Sequence, residues 1–532
     1  MITEFLILGI LAVLIYQFYR LGTKNENFFV ERGLKFKKPV FLIGNYLPIF
    51  LRKTSLFEYA RDINKDFPNE KIIGHFDFRR PVAVLLDPEL AKQVSVKDFE
   101  NFANHAEIFS EAFDPDFGNS LIALKDQKWK DMRSTLSPAF TGSKMRLMCD
   151  FIVETCEQMV DFLKLESEIK GPQTFDAKEL LSRVTLDVIG TCAFGVKVNS
   201  FKDTNNAFFV TAKKLVNFRS AILQFKFLFL MMCPKVMEFL NIKLFDTTSK
   251  KFLKDIVLNA MKVREEKKII RPDMVHLLME AKKGTLARTN VEKDSAGFAT
   301  VEESPIESTT SPKTNWTDTE LIAQCFVFFV AGYEGVSNAA NFMLYEVMVN
   351  PDIQEKLYEE ISGFHNNLEG KSLNYEYMKK LKYVDMFTAE FLRKFTQPFL
   401  DRVCTRDCTL KYDGDKEYTF KKGDLLWIPT GYYHHNPEFF PDPEKTNPER
   451  FSDENKHLIK PFTYAPFGLG PRNCIASRFA LMELKTILYY VVLNFHLEPT
   501  KETQIPLKFA KGFIGPVTEK KVYIKFRPRE DK

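Results

Sequence analysis

Residues 466–485 read PFGLGPRNCIASRFALMELK, and their one cysteine, Cys474, stands where a Gly- and Pro-rich turn gives way to a helix with apolar periodicity. A cysteine so placed has backbone N–H groups and the positive end of a helix dipole aimed at its sulfur, and Arg472 is two residues away. These features favour the thiolate, the form that ligates a metal or attacks an electrophile. Nucleophilic attack needs a nearby His and an orienting group, which the sequence alone neither supplies nor excludes. The competing reading is core filling, because free cysteine is among the most buried residue types.

Other spacings carry chemistry too. Trp129 and Arg133 are four residues apart on one helix face, so an indole N–H and a guanidinium converge on the same anion. Glu390 and Arg393 are one turn apart, a spacing common on exposed helices and weak by itself. The run FVFFVAGYEGVSNAANF holds Gly332 and Gly335, and each glycine costs a helix about 1 kcal/mol against Ala. Close contact with a neighbouring helix is one reason to carry them.

These residues need a large body to position them, and 532 residues with 45% hydrophobic content supply one. The net charge of +5 makes no case for nucleic acid. Eight cysteines (149, 156, 192, 233, 325, 404, 408 and 474) show no framework spacing and read as reduced thiols; Cys404 and Cys408 lack partners at zinc spacing. FLILGILAVLIY (5–16) is unbroken apolar sequence, extended by Phe18 and Tyr19. Glu4 precedes it, and Arg20, Lys24, Arg32, Lys35, Lys37 and Lys38 follow without a cleavage-site pattern, so residues 1–24 are expected to be an uncleaved N-terminal membrane anchor with the body on the cytosolic side.

Residues 25–532 then read as one body. β-branched runs such as PVAVLL suggest a small sheet within 55–100, and a second strand-rich part surrounds 400–430. Helical spacing dominates 127–170, 177–197, 205–240, 250–284, 316–349 and 374–395. Residues 284–315, polar and Ser/Thr-rich, are expected to form a mobile surface loop, and Thr317 with Glu320 makes a capping box that opens the next helix.

Phe467-x-x-Gly470-x-Arg472-x-Cys474 resembles the haem-binding signature of the cytochrome P450 superfamily, closest to its insect microsomal branch. Trp129-x-x-x-Arg133, Ala331-Gly332-x-Glu334, Glu390-x-x-Arg393 and Pro448-Glu449-Arg450-Phe451 follow in the family's order. The resemblance implies an α-rich α+β fold with one haem b (iron protoporphyrin IX). It makes Cys474 the axial thiolate to the iron, with Trp129, Arg133, Arg402 and Arg472 on the haem propionates. It closes Glu390, Arg393 and Arg450 into a buried network beneath the haem, and lays Ala331 and Gly332 against ligand and dioxygen, with local opening of the helix admitting water. Phe102, His105, Phe109, Phe117, Phe399 and Phe513 fall in segments similar to substrate-contacting regions.

The chain departs from that pattern at Gly335, where the family's threonine helps protonate dioxygen. Ser337 lies about 200° further round the helix and does not replace it, which leaves Glu334, ordered water or the substrate. Ala476 replaces a common Gly, and the loop KFTQPFLDR keeps only Pro398 of a usual Pro pair. The implied activity is insertion of one oxygen atom into a lipophilic molecule, xenobiotic or endogenous, at the endoplasmic reticulum membrane. Electrons would come from an NADPH-dependent diflavin reductase, with cytochrome b5 as a possible aid, since no nucleotide-binding Gly motif occurs here. Gly335 also motivates two alternatives: a reductase-independent hydroperoxide isomerase or dehydratase, and a haem protein that binds lipophiles without transforming them. The run AILQFKFLFLMM (221–232) has two readings, a buried helix or a lid element dipping into the bilayer.

Overall fold

The first helix, α1 (Ile2–Thr23), buries none of its residues and is long and apolar enough to cross a membrane. Its C-terminal end meets the following linker, where Phe41 packs against Phe18 and Tyr19 at 5.6 and 6.4 Å between ring centroids. The basic flank is partly spent on docking this linker: Arg32 pairs with Asp424, Lys35 with Glu70 and Lys37 with Asp66. The computed structural model describes residues 2–107, 110–111, 113–216, 220–271, 273–283, 316–512 and 515–530. Phe109, Phe513 and the expected 284–315 loop lie outside the described residues.

The helical segments exist where the apolar spacing places them, but turn chemistry divides them. The 127–170 segment becomes α2 (Asp126–Leu136), a 3-10 turn at Ser137–Phe140 around Pro138, and α3 (Gly142–Lys170). α4 (Ala177–Ile189) ends in a π-turn at Gly190–Phe194. Residues 205–240 split into three helices, Ala207–Leu215, Ala221–Met232 and Pro234–Phe239. In the middle one only Leu230 is buried, while Ile222 and Phe225 are exposed, so the buried-helix reading of 221–232 is corrected.

The Thr317 capping box forms as expected, with Glu320 N–H donating to Thr317 Oγ1 and Thr317 N–H donating to the Glu320 carboxylate. It starts α5 (Asp318–Val330), which passes through a π-turn at Ala331–Gly335 into α6 (Val336–Val349). This run also has the length and apolarity of a membrane span, but most of it is buried inside the body. α7 (Lys382–Lys394) carries the Glu390 and Arg393 pair, and α8 (Ser477–Asn494) begins three residues after Cys474. One hydrophobic core joins α2 to α8.

Nine strands form three small sheets among the described residues. β1 (Ile72–Asp77) and β2 (Arg80–Leu85) make a hairpin. β3 (Gln173–Asp176) lies in a separate sheet. β4 (Leu400–Val403), β5 (Cys408–Tyr412), β6 (Lys416–Phe420) and β7 (Leu425–Ile428) come from the predicted 400–430 region. The first sheet has the order β1-β2-β7-β4, with β2 and β7 parallel and Arg402 opposite Leu426. β5 pairs with β6, and β3 pairs with β9 (Tyr523–Pro528), which also pairs with β8 (Phe495–Pro499). The architecture is the α-rich α+β fold expected.

Candidate functional site

The cysteine loop is built from its glycines. Gly468 and Gly470 have φ of +87° and +67°, a left-handed region that favours glycine. A Cβ on Gly470 would also meet the Ser95 carbonyl oxygen at 1.9 Å. The turn closes when the Cys474 N–H donates to the Phe467 carbonyl at 2.8 Å. Arg133 of α2 fastens the far end, donating to the Asn473 carbonyl at 2.7 Å and its side-chain oxygen at 2.8 Å.

Cys474 is the one exposed cysteine of the eight. Protein nevertheless surrounds it: burial pushes its thiol up, against the Ala476 N–H and the Arg133 guanidinium, which pull it down. The residue is thus reachable from solvent while protein atoms crowd its sulfur. The expectation that Arg472 favours the thiolate is corrected, because Arg133 is the cation acting on the sulfur and Arg472 points elsewhere. With burial opposing ionisation, a positive ligand at the sulfur is what would make thiolate the stable form.

Arg133, Arg402 and Arg472 are all buried. Arg472 donates to the carbonyls of Ala103, Leu121 and Leu124 at 2.7, 3.3 and 2.7 Å, and its guanidinium carbon lies 3.9 Å from the Trp129 ring centroid. Burial and the nearby Arg402 and Arg133 charges push Arg472 down to about 8. Arg402, on β4, donates to the carbonyls of Asp401 and Leu469, and its Nε is buried without a partner. Burial lowers it as well. Arg402 and Arg472 direct their hydrogen bonds mainly to carbonyls, with Asp401 the carboxylate facing both, and repulsion among the three neighbouring guanidiniums favours a further anion.

His105 belongs to the same neighbourhood. Its Nδ1 is 2.9 Å from Asp401 Oδ1, whose other oxygen accepts from the Ala106 N–H. Burial would raise Asp401, but His105, Ala106 and Arg402 overcome it and hold the carboxyl down at about 2. Phe399 is half-buried and packs on Trp427 at 4.5 Å between centroids. Phe117 stacks on Phe245 and meets Phe326 edge-on. Phe102 is fully buried against Phe420, so it is a core residue with no open face.

The Glu390 and Arg393 pair is fully buried and well bonded. Arg393 donates to both Glu390 oxygens, at 2.8 and 3.0 Å, and to the carbonyls of His434 and Pro443. The Asn447 N–H adds a bond to Glu390, and Arg450 stands 3.5 Å from the same oxygen. His434, absent from the sequence expectations, extends the network: its Nε2 accepts from the Ala465 N–H at 2.8 Å, which fixes the proton on Nδ1, donated to the Arg393 carbonyl. Ala465 is two residues before Phe467. No spacing could have found this histidine, since its partners are 31 and 41 residues away.

On α5 and α6 the two glycines differ. A Cβ on Gly332 would fall 2.7 Å from Ile189 Cδ1, so this glycine serves contact with α4 and the expected ligand-facing role is corrected. A Cβ on Gly335 would meet nothing within 4 Å, and Ala331, one turn before, is exposed in an otherwise buried helix. Glu334 is tied to Lys178 at 3.0 Å and to Asn338 at 3.1 Å. Ser337 is fully buried and bonded to the Tyr333 carbonyl, away from the side that Gly335 presents.

Comparison with known proteins agrees with this geometry. The family model described as "Cytochrome P450" matches residues 34–526. The chain is 42% identical to the probable cytochrome P450 9f2 of Drosophila melanogaster, over 96% of this chain and 97% of that one. It is 42% identical to cytochrome P450 9e2 of Blattella germanica (93% of each chain), and 34% identical to cytochrome P450 6j1 of the same cockroach (92% and 91%).

Proposed function

The chain belongs to the cytochrome P450 family of haem-thiolate monooxygenases, and on that premise we propose that it inserts one atom of dioxygen into a lipophilic small molecule with electrons from an NADPH-dependent diflavin reductase. The observation that carries this reading is the pairing of Cys474, exposed yet closely surrounded by protein, with a cluster of three buried guanidiniums in which Arg402 keeps an Nε without a partner. Iron protoporphyrin IX, haem b, fits that donor set: one soft ligand for the metal, and Arg133, Arg402 and Arg472 with Trp129 for two carboxylates. The orphaned Nε of Arg402 supports the fit. When bound, the haem activates dioxygen, and the thiolate's electron density favours O–O cleavage.

The chain's own residues do the rest. Phe467 and Gly470 shape the turn, and Glu390, Arg393, Arg450 and His434 hold it from below. Arg133 positions Asn473 and offsets negative charge on the sulfur. Ala331 and Gly335 form the open side of their helix, leaving room for substrate, and Glu334 supplies protons in place of the missing hydroxyl. His105 and Phe399 border the substrate side.

The exposed apolar residues of Ala221–Met232, with Phe239 and Leu240, would sit in the same membrane as α1, so lipophilic substrates enter from the bilayer. The excess of Lys and Arg after α1 orients the body to the cytosolic face of the endoplasmic reticulum. Cytochrome b5 is a possible second donor. Nothing in the comparisons favours the hydroperoxide isomerase or the non-catalytic binder.

The test is a carbon monoxide difference spectrum followed by reconstitution with reductase and NADPH over a panel of lipophiles. The expected result is a red-shifted thiolate band, lost in Cys474→Ser, and NADPH-dependent oxygenated product. Pigment unchanged by Cys474→Ser, or peroxide without product for every compound, overturns the reading.

A further inference from the structure

Phe151, Glu154 and Gln158 recur at helical spacing on one face of α3, and that face walls a pocket of about 310 Å3 completed by Thr191 of the π-turn after α4, by Lys197 and by Arg271. None of its lining residues belongs to the site around Cys474. The volume is at the small end for a ligand pocket.

Arg271 stands just ahead of the helix Met274–Lys283. Its guanidinium carbon lies 5.3 Å from the Phe151 ring centroid, and its Nη1 and Nη2 donate to the carbonyls of Gly195 and Thr191 at 3.4 and 3.2 Å. Each Nη keeps a further N–H without an acceptor among the described residues. The Nε is 3.1 Å from Asp273 Oδ2, but both oxygens of that fully buried carboxylate are already held by Arg264, at 2.5 and 2.6 Å. Two guanidiniums share one carboxylate, and the surplus positive charge stands on the pocket wall.

Lys197 adds another. Its Nζ is 2.6 Å from Glu154 Oε1, the oxygen that the Gln158 amide reaches only at 3.5 Å. Lys197 and Glu154 keep 72% and 45% of their side-chain surface exposed, so this pair is worth little and opens readily. An arriving anion can therefore take the place of Glu154 at Lys197.

We propose that this pocket binds a small organic oxyanion, a carboxylate or phosphomonoester whose head lies between Arg271 and Lys197 and whose flat apolar part lies against Phe151. The forked guanidinium matches such a head with two parallel bonds. The proposal stands apart from the monooxygenase reading, because occupancy is measured without turnover.

The experiment titrates the full-length holoenzyme by isothermal calorimetry with phenyl phosphate, benzoate, inorganic phosphate and neutral benzamide. Phenyl phosphate or benzoate is expected to bind one-to-one with a Kd below about 1 mM, and the tighter of the two identifies the head group. Lys197→Gln should weaken that binding about twofold to fivefold, the worth of an exposed ion pair, whereas Glu154→Gln, which frees Lys197, should strengthen it by about the same factor. Arg271→Lys keeps the charge without the fork and should weaken it about tenfold; if that variant fails to fold, the two opposed substitutions at the exposed rim carry the test. Absence of saturable binding by either organic anion, or binding that neither rim substitution moves, overturns the proposal. Benzamide shifting in step with the anions overturns the oxyanion reading. Inorganic phosphate binding as tightly as phenyl phosphate shows an adventitious ion only and overturns the organic ligand.

Discussion

The loop before Cys474 and the turn around Gly335 are both short interruptions of helical structure, yet they are built on opposite terms. In the loop, polar groups are held by long-range bonds: Arg133 to Asn473, His434 to Ala465, and the Arg393–Glu390 pair behind them. Its Gly470 has no room for another atom. The Gly335 turn has room to spare, and its nearby polar side chains are drawn away to α4. A ligand-holding element needs one geometry, whereas an element across which substrate and protons pass needs space and exchangeable partners. The difference predicts where substitutions are costly and where they are cheap.

The largest effect is expected at Arg393. Arg393→Met leaves Glu390 charged and buried, with its Arg450 partner 3.5 Å away, a situation worth about 3–5 kcal/mol. Haem-free or aggregated protein on expression is the outcome, read by the carbon monoxide band per unit protein. Normal haem content in this variant would break the contrast, because the loop would then stand without its support. Gly470→Ala comes next. The left-handed backbone costs an L-residue about 1–2 kcal/mol and overpacking against Ser95 adds about 1–3 kcal/mol, so a marked loss of thermal stability is expected by calorimetry.

A pH effect should follow from His434. Burial pushes it down to about 3 in the folded chain, while the unfolded chain has the ordinary value near 6.5. In that window the unfolded state binds the extra proton, so the stabilisation is complete above 6.5 and is lost as pH falls toward 3. The loss is about 1 kcal/mol per pH unit at first. Melting temperatures measured downward from neutral pH should fall less steeply in His434→Gln than in the parent. Equal slopes would show that the imidazole is not the titrating group.

Much of the loop was legible in the sequence because its demands are local. A cysteine, two glycines and an arginine at fixed spacing state a turn geometry that few other sequences satisfy. Residues acting across the fold were not legible. Lys178 lies 156 residues from Glu334, and His434 lies 31 from Ala465, so no spacing announces either. Gly332 was misread for a related reason: a glycine's use depends on what stands opposite, and Ile189 belongs to another helix. Phe102 was likewise placed in a substrate-like segment by position alone, though its ring is directed at Phe420. The division of 205–240 into three helices was missed because amphipathic spacing continues across breaks that Ser220 and Pro234 impose.

The smallest expected effect is the most discriminating. Gly335 has helical φ and ψ of −63° and −51°, so alanine fits its backbone, and a Cβ there touches nothing. Gly335→Ala should therefore stabilise the protein by about 0.4–1 kcal/mol through the unfolded chain. Gly332→Ala, three residues earlier, places its Cβ 2.7 Å from Ile189 Cδ1 and should forfeit that gain. A raised melting temperature in Gly335→Ala beside none in Gly332→Ala would place the open face of the helix at 335 and its packed face at 332. Gly335→Thr then separates space from chemistry: if it also raises the ratio of water to peroxide formed from dioxygen, the hydroxyl was what the turn lacked. If it lowers product formation while leaving that ratio unchanged, the room at 335 belongs to the substrate and protons already arrive through Glu334.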